Sequence, residues 1–357
     1  MNLDKPSGKV ICHSRAPNGE ELITVEVEVH RFILPEINTH RVFSRNFQSS
    51  RAVPVEKMIE QVRRDPALPV HWGKNQRGMV ADEQLDCGIE LYSYLGGEWQ
   101  QEGSKEYCWG VAAEGAALVA ESFNKAGYHK QIVNRLLEPF MWTKGVITAT
   151  KEGWESFFKL RCHKDAQPEI KLLAERIQKS IDNSEPRILD YGDYHLPYIQ
   201  LPYTEKGIGV LTKVVGNCIS KTLESKGIEE DRLEEVIQDN ITYCTKNISL
   251  GEILKASNLD LEQAIKISTS CTAQVSYRVL DKSLDKALNI YDMLNLPVNG
   301  AYPEDPPHYS PTEHVARVVT QTTEDRQSGN FNSRVFWQYR KALEKGHESL
   351  FMESNYE

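Results

Sequence analysis

His40-Arg41-Val42-Phe43-Ser44-Arg45-Asn46-Phe47-Gln48-Ser49-Ser50-Arg51 is the stretch around which the chain is arranged. It carries three arginines, a histidine, an asparagine and three serines, and no acid lies between Ile37 and Val55. The chain around it is acidic, with formal charge −9 over 357 residues. A run of donors inside an acidic protein suits an anion such as a phosphate, because guanidinium groups make paired, charge-assisted bonds to its oxygens. The competing reading is a solvated polar loop. Serine and asparagine favour local side-chain to backbone bonds, so the stretch is read as a loop or a helix start.

On the N-terminal side, Leu22 to Val29 alternates, with Ile23, Val25, Val27 and Val29 on one face and Thr24, Glu26 and Glu28 on the other. That pattern predicts a half-buried strand. On the C-terminal side the pattern predicts a short helix over Pro54 to Arg64, then an irregular connection over Asp65 to Val80. A long helix follows over Ser104 to Lys125, with a stripe of Val111, Gly115, Leu118, Val119 and Phe123 and a stop at Gly127. A second helix runs from His129 to Glu138 and ends at Pro139. Val146 to Thr150 is a strand or an extended connection. Helices are expected over Glu152 to Cys162 and Asp165 to Ile181. Asn183 to Thr204 reads as a connector. Further helices are expected between Lys206 and Leu261, over Asn258 to Ser276 and over Ser283 to Leu294, with a turn-rich loop from Pro297 to Pro311.

Composition bounds the function. With 40 % apolar and 26 % charged residues, the chain is of the soluble globular kind. The acidic balance argues against nucleic acid as a partner. Seven scattered cysteines without a C-x-x-C fit reduced thiols and a cytoplasmic protein. The polar N-terminus does not read as a signal peptide, and no apolar run is long enough for a membrane span. No metal site is expected. Cys162, His163 and Asp165 are near one another in sequence, but adjacent ligands on a helix diverge. Neither common phosphate loop, G-x-x-x-x-G-K-[ST] or G-x-G-x-x-G, is present.

Two arginines stand out on apolar helices. Arg161 shares a helical face with Trp154, Phe157 and Phe158, and Arg135 sits within Ile132-Val133-Asn134-Arg135-Leu136-Leu137. A charge there needs a partner. Either it makes a structural ion pair or passes its stem over the aromatics, or it points into a ligand site. His308 and His314 flank Ser310-Pro311-Thr312-Glu313 and are loop histidines or site residues. From the residues alone, the clusters suit an anionic, nucleotide-like ligand.

The stretch His40 to Arg51 also fits H-R-x-x-S-x-N-x-x-S-x-R, and in this it resembles the flavin-dependent thymidylate synthases, the ThyX family. Arg135-Leu136-Leu137-Glu138-Pro139 looks like the family's nucleotide-binding arginine segment. Leu160-Arg161, Ala166-Gln167 and Glu169-Ile170 look like its L-R…A-Q-x-E-I segment. The family's earlier portion, A-R-V-S-F and then H-x-[ST]-P-x-E-H, is matched instead near the C-terminus. There it stands as Ala273-Gln274-Val275-Ser276-Tyr277 and His308-Tyr309-Ser310-Pro311-Thr312-Glu313-His314. The order resembles a circularly permuted, enlarged member, similar to long versions encoded by viruses of bacteria.

The resemblance implies an α+β fold with a small, mainly antiparallel sheet and long helices. It implies a core over residues 1–182, an added helical segment over 183–262 and the displaced N-terminal portion over 263–357. It implies FAD as cofactor, with NADPH and methylenetetrahydrofolate as cosubstrates. It implies dUMP or a related pyrimidine deoxynucleotide as acceptor, and a homotetramer with shared sites. His40, Arg41, Asn46, Ser276, His308 and Ser310 are the implied flavin contacts. Ser49, Arg51 and Arg135 are the implied nucleotide contacts. Arg161 would stabilise negative charge on the pyrimidine. Ser49 is placed to be a nucleophile, but no base stands next to it in sequence, which favours binding. The chain departs from the family at Thr39, where an arginine is usual, and at Phe47, where an acid is frequent. Arg340 is the expected substitute for the missing arginine. The alternative activities are a flavin- and folate-dependent methylase or hydroxymethylase of dUMP or dCMP, and a non-catalytic nucleotide-binding protein.

Overall fold

The structure is a computed structural model, and it describes residues 5–92, 100–199, 249–275, 284–298 and 301–353. Its centre is strand β2 (Glu21–His30), which pairs with β1 (Ser7–Arg15) on one side and β6 (Trp142–Thr150) on the other. The sheet order is β3-β6-β2-β1-β7, with β3 (Ser44–Phe47) at one edge and β7 (Arg187–Ile188) at the other. All its pairings are antiparallel except β1 with β7. A hairpin joins β4 (Ile89–Tyr92) to β5 (Gln100–Gly103). A second sheet has the order β10-β9-β8, from Phe336–Gln338, Ala316–Val318 and Tyr194–His195.

Successive side chains of a strand point to opposite faces, so the alternation of β2 assigns two layers. Ile23, Val25, Val27 and Val29 pack with Ile147 and Ala149 of β6 against α5 (Lys151–Arg161) and α6 (Pro168–Asp182). These helices supply Trp154, Phe157, Phe158, Ile170, Leu173 and Ile177 to that face. The strand is not half-buried as expected. Thr24 on the other face is also fully buried, and Glu26 accepts a hydrogen bond from the Tyr198 hydroxyl at 2.8 Å. The cover on this side comes from later in the chain. It includes Leu196, Tyr198, α7 (Leu250–Ser257), α8 (Leu261–Gln274), Val315, Trp337 and α9 (Tyr339–Lys345). The expected connector after Asn183 thus contributes β7 and β8 to the two sheets.

A satellite core lies beside the sheet. Helix α2 (Val55–Arg64) packs on α3 (Lys105–Lys125), on the single turn α4 (Lys130–Val133) and on the 3-10 segment Asn134–Phe140. The Ser104 side chain caps α3 by accepting from the Tyr107 amide. The face of α3 that meets α2 is Ala113, Ala117 and Ala120, and the predicted stripe of Leu118, Val119 and Phe123 points outward instead. Small residues let the helices approach closely, and the larger apolar residues are left on the surface. The helix expected over His129 to Glu138 is a single α turn followed by a 3-10 segment containing Pro139. Of the region expected to be helix-rich, Lys206 to Leu261, residues 206–248 lie outside the described residues. Among the described residues, no helix is long and apolar enough to cross a membrane.

Candidate active site

Residues 40–51 are neither a free loop nor a helix start. Helix α1 (Leu34–Asn38) ends at Thr39, and a turn closed by the Phe43 amide on the His40 carbonyl leads into edge strand β3. Its ladder with β6 sets Ser44 opposite Thr148 and Phe47 opposite Gly145. After Phe47 the chain turns over residues 48–53 into α2. Each third of the stretch meets a different remote segment.

The first third meets α5. Arg161 Nε donates to His40 Nε2 at 2.9 Å, and Arg161 Nη2 donates to Thr39 Oγ1 at 3.0 Å and to the Glu36 carbonyl at 3.3 Å. The expected charge on the aromatic face of α5 therefore has polar partners at the turn. His40 lies between the rings of Phe43 and Phe157, 5.5 Å and 4.9 Å away. Burial, then the positive charges of Arg161 and Arg45, push its pKa down to about 4. Accepting a bond at Nε2 requires the proton of this neutral ring to sit on Nδ1. Arg45 Nη1 donates to the Ile37 and His40 carbonyls at 3.2 and 3.0 Å, which ties the turn to the strand. Arg41 is exposed.

The middle third meets the C-terminal layer. Asn46 Nδ2 donates to the Thr272 carbonyl near the end of α8 at 2.8 Å. Gln338 Nε2 donates to Ser44 Oγ at 3.1 Å and to the Glu313 carbonyl at 3.0 Å. Glu313 lies in the turn Ser310–His314, which packs on β3. Its carboxylate is held by Arg340 and by Asn330 Nδ2 at 3.2 Å. Burial raises the Glu313 pKa although Arg340 opposes that shift. Arg340 also binds Glu344 at 2.7 Å and lies over the Tyr309 ring, 4.9 Å from its centroid. The expected substitute arginine is thus held by two carboxylates, while the arginine bonded to Thr39 is Arg161. His308 and Ser310 are exposed at the start of this turn. Ser276 lies outside the described residues.

The last third meets the segment 130–140. Asn134 is fully buried and donates to the Ser50 and Val53 carbonyls at 2.6 and 2.9 Å. Ser50 Oγ donates to Glu138 Oε1 at 3.0 Å, and Arg31 Nη1 donates to the Gln48 carbonyl at 2.9 Å. Arg51 and Arg135 are exposed on this frame. Ser49 Oγ accepts from the Arg51 amide at 3.3 Å. No imidazole or carboxylate bonds to Ser49 among the described residues, so nothing shown activates it as a nucleophile.

Under the site runs a buried polar chain, of which the sequence singles out His314 alone. His314 Nδ1 bonds to Thr148 Oγ1 at 2.8 Å, and Thr148 Oγ1 to Thr24 Oγ1 at 2.7 Å. Thr24 Oγ1 bonds to His195 Nε2 at 2.8 Å, and His195 Nδ1 to Ser14 Oγ at 2.8 Å. Burial pushes the pKa of both histidines down to about 3, so both are neutral. His314 Nε2 is buried with no partner among the described residues. Asn134, Glu138 and Gln338 were missed as well. Asn134 had one sequence signal, a buried-type position beside Arg135 in an apolar helix. Among the described residues, no group of three His, Cys, Asp or Glu side chains is placed to hold a metal.

Comparison with known proteins places a relationship over the first half of this site. The family described as thymidylate synthase complementing protein matches residues 20–187, a span that includes residues 40–51, Arg135 and Arg161. No curated protein matches the chain. Among solved structures, the chain is similar to flavin dependent thymidylate synthase ThyX from Helicobacter pylori complexed with FAD and dUMP. That match has 12 % identity, 45 % of this chain and 67 % of that one covered, and a TM-score of 0.31. It is also similar to the UMP/dUMP methylase PolB from Streptomyces cacaoi bound with 5-Br dUMP, at 18 % identity over 45 % of this chain and 66 % of that one, with a TM-score of 0.33. The alignments span about two thirds of those chains.

Proposed function

We propose that this chain is a flavin-dependent pyrimidine nucleotide methylase of the ThyX family, one that converts dUMP to dTMP. Methylenetetrahydrofolate would be the carbon donor and NADPH the reductant. The observation that carries the reading is the convergence on residues 40–51. The segments expected to share a site, around Arg135, Arg161 and 308–314, all pack against that one stretch or next to it. The match over residues 20–187 supports the same family. The contacts of Thr272, Glu313 and Gln338 with β3 support a permuted order, in which the C-terminal portion completes the core.

The residues present fit an anionic cofactor and an anionic nucleotide. Arg41, Arg51 and Arg135 are exposed donors around the stretch, and His314 Nε2 is a buried polar atom without a partner among the described residues. His40, Arg41, Asn46, Ser276, His308 and Ser310 would hold FAD. When bound, that cofactor supplies the hydride and one-carbon chemistry that no side chain can. Ser49, Arg51 and Arg135 would bind the nucleotide, with the arginines on its phosphate. Arg161 would offer its positive charge to the pyrimidine carbonyl as C5 becomes nucleophilic. Arg340 would meet a phosphate only with a donor that Glu313 and Glu344 leave free. The outward apolar stripe of α3, with Leu118 52 % and Val119 47 % exposed, supports burial by further copies of the chain in a homotetramer.

The test is the mass of the product after incubation with dUMP, methylenetetrahydrofolate and NADPH, and separately with dCMP. A methylated uracil nucleotide is expected. A hydroxymethylated or cytosine product would move the enzyme to the related activity, for which the aromatic Phe47, at a position often acidic in the resembled family, is the motivating difference. No product from either nucleotide by flavin-loaded protein would overturn the reading in favour of a binding protein.

A further inference from the structure

The hydrogen bonds of Arg161 use its donors unevenly. Nε is committed to His40, and Nη2 is committed to both Thr39 and the Glu36 carbonyl. Nε and Nη2 form the edge that guanidinium normally presents to a carboxylate or phosphate as a fork. Here that edge is closed by protein, and only Nη1 makes no hydrogen bond to another described residue. Thr39 is itself fixed, because its hydroxyl donates to the Glu36 carbonyl at 2.6 Å. That leaves a lone pair of Oγ1 to accept from Arg161. His40 is fixed by the Phe43 and Phe157 rings. A side chain as flexible as arginine would otherwise lose considerable rotamer freedom on meeting a ligand.

We propose that Thr39 is a positioning residue for Arg161: with His40 and the Glu36 carbonyl it clamps one edge of the guanidinium, so that Nη1 alone is presented to the substrate. This rests on the reading of Arg161 as the group that meets the pyrimidine. A single pair of donors suits a carbonyl oxygen, whereas a phosphate would call for the fork. The clamp thus makes Arg161 a group for the base and leaves the phosphate to Arg51 and Arg135. It also gives a chemical sense to the threonine at a position where the resembled family carries arginine. A second guanidinium there would repel Arg161, whereas a hydroxyl accepts from it. His40 is bound to be an acceptor at Nε2, so the only proton it offers a ligand is on Nδ1.

Two measurements on Thr39→Val and Thr39→Ser test this. Valine removes the hydroxyl at nearly constant shape, and serine restores it. The first is the titration and tautomer of His40 by nitrogen NMR in the protein without substrate. The charges facing His40 are Arg161 from α5 and Arg45 from β3. The wild-type ring should carry its proton on Nδ1 and titrate near about 4. In Thr39→Val the guanidinium loosens and the titration moves toward the ordinary histidine value, and Thr39→Ser returns it. The second is turnover of the flavin-loaded enzyme. Thr39→Val should lower kcat about fivefold, the worth of one partly exposed hydrogen bond to a charged group, with little change in the KM for nucleotide. Thr39→Ser should recover it. An unchanged His40 titration in Thr39→Val, or a serine variant no better than the valine one, would overturn the clamp. A wild-type protein that methylates no pyrimidine nucleotide would overturn the functional reading, while the His40 titration still decides the clamp.

Discussion

The two faces of the β2–β6 sheet are built from alternate residues of the same strands and follow opposite rules. Toward α5 and α6 the contacts are apolar, Ile23, Val25, Ile147 and Ala149 against Trp154, Phe157 and Leu173. Toward the C-terminal layer, Thr24, Thr148, His195 and His314 form a buried chain of hydrogen bonds amid that layer's apolar side chains. Apolar contact is non-directional and tolerates many arrangements. A buried hydroxyl or imidazole must find its partner or bear the cost of desolvation. The second face therefore specifies which later segments dock and how. Edge strand β3, next to β6, is where the proposed site lies.

The largest expected loss comes from the apolar face. Phe157→Ala removes a fully buried ring, and thermal or denaturant unfolding should show a loss of about 3–5 kcal/mol. Because His40 packs edge-on against the same ring, the variant should also weaken the Arg161 clamp.

Next comes acid, which acts on buried histidines, two of them on the polar face. His195 and His314 have folded pKa values of about 3, below the ordinary 6.5. Unfolded chains take up these protons as pH falls below about 6.5, and the folded protein does not until far lower. Stability is therefore full above that value and is lost between it and about 3, by roughly 2 kcal/mol for each histidine at about pH 5. Melting temperatures at neutral and mildly acidic pH measure this. A flat profile would mean that the two imidazoles are not held neutral.

The smallest effect is from one hydroxyl of that chain. Thr148→Val leaves His314 Nδ1 and the Thr24 hydroxyl short of a partner and should cost about 1–3 kcal/mol. Combined with Thr24→Val, the loss should be less than the sum of the two, because both substitutions break the same bond. Strict additivity would contradict a connected network.

The contrast between faces also marks what the sequence made legible. Ile23, Val25, Val27 and Val29 announce β2, and Trp154, Phe157 and Phe158 announce the inner face of α5, since periodicity is an apolar signal. Ser44 to Phe47 has no such signal. Its strand is set by pairing with β6, whose Gly145 leaves the space occupied by the Phe47 ring; a Cβ there would lie 2.2 Å from that ring. Strand β1 is broken as a pattern by an irregularity between Val10 and Cys12, and β7 to β10 are too short to show one. The outward turn of Leu118 and Val119 was hidden because alanine, which carries the α2 contact, reads as a weak apolar residue. Arg135 and Arg161 were legible because a charge on an apolar face demands a reason. The partners of Arg161 were not, since Thr39 is more than a hundred residues away and bonds it through the fold alone, while Arg135 lies exposed.

The central claim is that residues 40–51 and the segments packed on them form a flavin and nucleotide site. The most direct measurement is the visible absorption of the purified protein. A flavin band near about 450 nm is predicted, one that bleaches on adding NADPH and returns on adding methylenetetrahydrofolate and dUMP. A colourless protein that takes up no added FAD would contradict it.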